Sequence, residues 1–172
     1  HGVYPGRGLR PGRTGKLRQR SLAGNDVNPR WVLLLMLVGG VGQASEPIDA
    51  LSAAGVDPMQ ARLNYMLNCQ GCHAVDGRGL NDIPTMADFV GKFLTVDGGR
   101  AYLVQVPGSA NSPLSDQQLA EVLNWVLLTM SQPQLPQPFE PYTAAEVNDY
   151  RKQTMSDAAA VRRDLLAQLK VQ

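Results

Sequence analysis

Cysteine is nearly absent from this chain: of 172 residues only Cys69 and Cys72 carry a thiol. Two cysteines make neither a disulfide framework nor a four-cysteine zinc site. Histidine is equally scarce, with His1 and His73 the only two. No alternating run reads as a convincing strand, and no segment repeats. Gly77-Arg78-Gly79 and Gly98-Gly99-Arg100 lack the further glycine and lysine spacing of a phosphate loop, so they read as turns or helix entries. The apolar run from Trp31 to Val41 is too short to span a bilayer comfortably.

The two cysteines stand together in Cys69-Gln70-Gly71-Cys72-His73. This is a C-x-x-C-H motif, the pattern of covalent c-type haem attachment. Thiols three residues apart can reach the two vinyl groups of one haem, and the adjacent imidazole then lies under the iron as an axial ligand. The motif therefore points to one haem c, with Cys69 and Cys72 as its thioether positions and His73 as the iron ligand. A redox-active dithiol or another metal site is the alternative for the same pair. That reading leaves His73 without a task and finds no βαβ pattern around the motif.

Residues 1–30 are rich in Gly, Pro and Arg and show no apolar periodicity. Arg30, the apolar run Trp31 to Val41 and then Gly42-Gln43-Ala44 follow the order of a secretory signal peptide, with cleavage expected after Ala44. An uncleaved anchor is the alternative. The first methionine, Met36, lies inside the apolar run. A start near Val27, from an alternative codon, would leave residues 1–26 outside the translated protein. The formal charge of +1 hides a split: the stretch through residue 44 holds seven Lys/Arg and one acid, and the remainder nine Lys/Arg and fourteen acids, near −5. An acidic mature surface favours basic partners and disfavours nucleic acid. Export agrees with the motif, because c-type haem is attached outside the cytoplasm.

After the leader and signal (1–44), three blocks are expected: an N-terminal segment (45–57), a compact haem domain (58–131), and a tail (132–172) that opens with the Pro-rich stretch Gln132 to Pro141. The spacing predicts a helix from Pro58 to about Asn68, with proline in its first turn. A turn follows at Asp76 to Gly79. A short helix is expected near Met86 to Phe93, with Ala87, Val90 and Phe93 or Leu94 inward. Another includes Arg100 to Val106 and is ended by Pro107-Gly108. The clearest runs from Asp116 to Met130: Ser115 with Gln118 forms a capping box, and Leu119, Val122, Leu123, Val126, Leu127 and Met130 keep helical spacing. In the tail, Thr143 with Glu146 reads as a second capping box. Ser156 is expected to cap a last helix from Asp157 to Lys170, striped by Leu165, Leu166 and Leu169.

The order helix, C-x-x-C-H, Gly-rich turn, Pro, short helices and capped terminal helix resembles the class I cytochrome c family over residues 58–131. The resemblance implies an all-α fold: a bundle of short helices around one covalent haem, here with a C-terminal helical extension. It implies crossing first and last helices with an aromatic contact, for which Tyr65 and Trp125 stand at the matching places. It implies that the carbonyl of Pro84 accepts the ring N–H of His73, fixing the tautomer and strengthening the ligand. Met86 then matches a position that packs against the haem on the histidine side. The family's distal Met is expected in a loop before the terminal helix, often directly before a proline. Here that loop, Val106 to Ser115, holds neither Met nor His, and the residue before Pro113 is Ser112. Met66 reads as core, Met130 as packing, and Met155 could reach the iron only by folding of the tail. The distal ligand stays open among Met86, an unusual group such as Asn111 or Tyr102, and no protein ligand at all.

Three functional readings compete. In the first the protein is a periplasmic monohaem electron carrier, with single electrons passing between a donor such as a periplasmic dehydrogenase and a downstream cytochrome or oxidase. No catalytic side chain is needed. The second is a haem-based binder or sensor of a small ligand at an open distal site; a peroxidase is disfavoured because no distal histidine is at hand. The third is a haem subunit of a larger redox complex, docked through the tail, whose last helix carries Arg162, Arg163 and Lys170 on its polar positions. Against docking stands simple packing of the tail on its own domain. Arg100 and Arg78 are each either a partner of a haem propionate or solvent-facing.

Overall fold

The computed structural model describes residues 47–153 and 155–170. The leader, the apolar run Trp31 to Val41 and the expected cleavage point lie outside the described residues. The described residues belong to one compact unit. Among the described residues no helix is long and apolar enough to cross a membrane.

The described chain is all-α. Its helices are α1 (Pro47–Ala53), α2 (Pro58–Asn68), α3 (Gln70–His73), α4 (Gly99–Gln105), α5 (Pro107–Ala110), α6 (Asp116–Met130), α7 (Ala144–Arg151) and α8 (Ala158–Leu169), with 3-10 helices at Val90–Thr95 and Gln132–Gln134. Asp57 starts α2: its carboxylate accepts from the N–H of Met59 at 2.9 Å and of Gln60 at 3.1 Å, donors that the first turn leaves without helical partners. Ser115 and Gln118 start α6 with the reciprocal capping box that their spacing predicts.

Helix α2 packs on α6 through Ala61, Asn64 and Tyr65, all buried. The Tyr65 and Trp125 rings meet at 5.2 Å between centroids, inclined by 43°. The expected aromatic contact is therefore present, and such a pair contributes about 1 kcal/mol beyond the area it buries. The opposite side of α2 carries a second apolar stripe, Met59, Leu63, Met66 and Leu67, which stays exposed. Met66 is thus turned to solvent rather than into the core, because Ala61, Asn64 and Tyr65 already occupy the buried face.

Several local expectations shift. Helix α1 lies in what reads as a plain N-terminal segment, and its Leu51 is buried. The helix expected near Met86 to Phe93 becomes a 3-10 helix at Val90–Thr95, because Asp88 sits at φ 55° and cannot continue an α-helix. Pro107 does not simply stop a helix; it occupies the first turn of α5. Thr143 caps α7, but Glu146 does not reach back to close the box, since its carboxylate binds Arg100. Asp157, not Ser156, caps α8 by accepting from Ala160 N–H at 2.8 Å.

The tail packs on its own domain. Helix α7 lies on α6 and α4, and α8 lies on α4 and the 3-10 helix Val90–Thr95. Val147, Tyr142 and Leu165 are buried there. Asn124, inside α6, clasps the Tyr142 backbone with both ends of its amide, at 3.0 Å and 2.7 Å. Two arginines fasten the rest. Arg100 grips Glu146 through two bonds of 2.7 Å, donates to the Glu140 carbonyl and stacks 4.2 Å over the Tyr142 ring. Arg151 binds Asp116 at 2.8 Å and also the Leu114 and Ser109 carbonyls and the Ser112 hydroxyl. Each carboxylate holds a guanidinium that also satisfies backbone carbonyls, so burial does not leave the charge stranded.

Candidate functional site

The C-x-x-C-H motif begins where α2 ends. The N–H of Cys69 bonds the Tyr65 carbonyl, and α3 follows at once, so both thiols and the imidazole are set by a single helical turn. The exit is fixed by the tyrosine that packs on Trp125: its hydroxyl donates to the Ala74 carbonyl at 2.6 Å. The chain then turns through Gly77 and Gly79, at φ 75° and 77°. A Cβ on Gly79 would collide with the Ile83 carbonyl, and one on Gly77 would lie 2.6 Å from the Met130 sulfur. This tight loop returns to the motif by bonds from Gly79 N–H to the His73 carbonyl and from Leu80 N–H to the Cys72 carbonyl.

Cys69, Cys72 and His73 line one cavity of about 450 Å³, within the size range of cofactor sites. Apart from the motif its walls are mainly apolar, with Val90 and Phe93 of the 3-10 helix, Leu103 of α4 and Val122 and Val126 of α6 among them. A second hollow of about 310 Å³, between residues 94–101 and Tyr150, contains no thiol or imidazole. Both cysteines are free thiols. Burial, and then the neighbouring Cys72, push the Cys69 thiol up to about 11, which leaves it protonated at neutral pH and unlike the acidic thiol of a dithiol redox catalyst. Burial also lowers the pKa of His73, opposed by the Pro84 carbonyl, so the imidazole is held toward the neutral form that binds metal. The Pro84 carbonyl is the facing acceptor, yet full hydrogen-bond geometry is not reached, and His73 Nδ1 is buried without a partner.

These features fit a haem. Two thiols and one imidazole held toward its neutral form share a largely apolar cavity, and the buried, unpartnered Nδ1 is a donor that the Pro84 carbonyl can serve, which would leave the other ring nitrogen for iron. Pro84 and Met86 both line the cavity. Met86 is tied by its N–H to the Gly77 carbonyl at 2.7 Å, in the loop that follows His73. Val106, Pro107, Gly108 and Ser109 of the opposing segment reach the cavity, whereas Ser112 does not; its hydroxyl bonds Ser109 and Arg151 instead. Asn111 does not line the cavity, and Tyr102 does.

Neither expectation for Arg100 holds: it is paired with Glu146 and lies outside the cavity. Arg78 is exposed and paired only with Asp76 in its own turn. The arginine that does line the cavity is Arg162 of α8. Its place among the polar positions of a tail helix carried no signal that would single it out.

No family model matches the chain, and no solved structure matches it. Two curated relatives do, both named cytochrome c-552 and both from Thermus thermophilus. Each is 30% identical over 118 residues, an alignment that takes in 56% of this chain and 90% and 80%, respectively, of the relatives. Likeness over nearly the whole of such a relative, joined to a helical fold that gathers C-x-x-C-H around one cavity, shows that the chain belongs to the class I monohaem c-type cytochromes.

Proposed function

We propose that this cytochrome is an exported single-electron carrier with one covalent haem c on Cys69 and Cys72. The observation that carries the reading is the convergence of both thiols and His73 on a single, mainly apolar cavity. Each thiol would add across one vinyl group, its sulfur taking one carbon and its hydrogen the other. When bound, the haem supplies the one-electron chemistry by cycling between ferric and ferrous iron. The chain's own residues do the rest. His73 would hold the iron, the Pro84 carbonyl would orient the imidazole, and the apolar walls from α4 and α6 would exclude water. No acid, base or nucleophile is required, so the protein works as a carrier and not as an enzyme. Redox proteins on both sides of the exchange, such as a periplasmic dehydrogenase and a downstream cytochrome or oxidase, would meet it where Cys72 is exposed. Leu80, exposed and bonded through its N–H to the Cys72 carbonyl, gives that region apolar character. The leader, with its short apolar run before Gly42-Gln43-Ala44, supports export and a periplasmic setting.

Expression of the full chain in a bacterium with a c-type maturation system tests this. The expected product is periplasmic, begins at Ser45, and carries the mass and the pyridine haemochrome spectrum of one haem with both vinyl groups saturated. Replacing both cysteines, Cys69→Ala with Cys72→Ala, removes the haem. A wild-type product with free thiols and no added mass overturns the reading.

A second reading has its own observation. Met86 apart, the described lining residues include no Met and no second His. That favours a ferrous form that binds CO readily. If the reduced protein ignores CO, a sixth protein ligand is in place and the carrier reading stands alone.

A further inference from the structure

Arg162 is the one charged residue among the described residues that line the cavity, and no carboxylate lines it. Its guanidinium lies 5.9 Å from the Phe89 ring centroid. It is half-buried, yet it makes no hydrogen bond or ion pair with a described residue. The arginines that fasten the tail behave differently: Arg100 and Arg151 each bind a carboxylate and at least one backbone carbonyl. Tyr102, on the same cavity, also has a hydroxyl with no hydrogen bond to a described residue, and it feels the charge of Arg162. A half-buried guanidinium beside apolar walls calls for an anion, and its planar fork matches a carboxylate.

We propose that Arg162, with the Tyr102 hydroxyl beside it, binds a carboxylate of the group held in the cavity, a haem propionate. This rests on the haem reading above. The haem brings carboxylates to a cavity whose described lining has none, and the cation supplies what they need. Helix α8 then belongs to the cofactor site rather than to a separate tail. A fixed positive charge beside the macrocycle also favours the reduced state, since reduction adds one negative charge near it.

The test uses the full chain with its covalent haem and three variants: Arg162→Gln, Arg162→Lys, and Arg163→Gln as the exposed neighbour. The reduction midpoint is followed against pH, and the propionate bending bands by resonance Raman. Arg162→Gln is expected to lower the midpoint and displace the bands, while Arg163→Gln does neither. Arg162→Lys keeps the charge without the fork, so it should displace the bands and hold most of the midpoint; it also serves if the glutamine variant fails to mature. Equal behaviour of the Arg162 and Arg163 variants overturns the proposal. So does a midpoint that responds to added acetate in the wild type but not in Arg162→Gln, which would assign the site to a free anion. A wild-type chain without covalent haem sinks the haem reading itself, and is recognised before any variant is compared.

Discussion

Tyr65 shows how one side chain can serve both packing and chemistry. Its ring lies on Trp125 and its hydroxyl ties down the Ala74 carbonyl, one residue beyond His73. Burial, and then the neighbouring Cys69 and Asp76, raise its pKa to about 12, so it remains a hydrogen-bond donor far above neutral pH. Tyr65→Phe keeps the ring and loses the bond. The expected cost is about 1 kcal/mol of unfolding free energy, read from urea titrations with an unchanged slope. A much larger loss would mean that the Ala74 carbonyl finds no water in place of the hydroxyl.

At the scale of elements, α6 is the frame. Leu119, Val122, Val126 and Leu127 face the cavity while Asn124 reaches the tail, so the helix is buried on two sides. Its start depends on the capping box, and Ser115→Ala should cost about 1 kcal/mol in the same titration, leaving α6 in place. Elements with local causes were legible in the sequence: the capping box of α6, the proline at the start of α2 and the motif turn all follow from neighbours within four residues. Elements with distant causes were not. Thr143 and Glu146 have capping-box spacing, but an arginine 46 residues away takes the glutamate. Asn124 looks like an interruption of an apolar face until Tyr142 is placed against it. The left-handed Asp88, which turns an expected α-helix into a 3-10 helix, is bonded through its N–H to the Met130 carbonyl, a contact no short-range pattern contains.

At the scale of the whole molecule, the motif half of the site could be read from five consecutive residues, whereas the opposite wall and Arg162 depend on how the tail returns. That return is held partly by charge. Asp116 is kept below the usual carboxylate range by its hydrogen bonds to Asn148 and then Arg151. With the folded pKa beneath the unfolded one, its contribution is complete above the unfolded value of ~4 and is lost as pH falls through the lower folded value. The stability gap between wild type and Asp116→Asn should therefore be widest near neutral pH and close under acid, as urea midpoints across that range would show. A gap that stays constant with pH would assign the bond to shape rather than charge.

Chain order divides the cavity into two parts. The thiols and the imidazole lie at the junction of α2 and α3, whereas the stretch of wall that carries Arg162 comes from α8, about ninety residues later. A chain cut before α8 would keep the whole motif and lose that stretch of wall. The last helix is thereby the latch of a container whose floor is laid down by the first three.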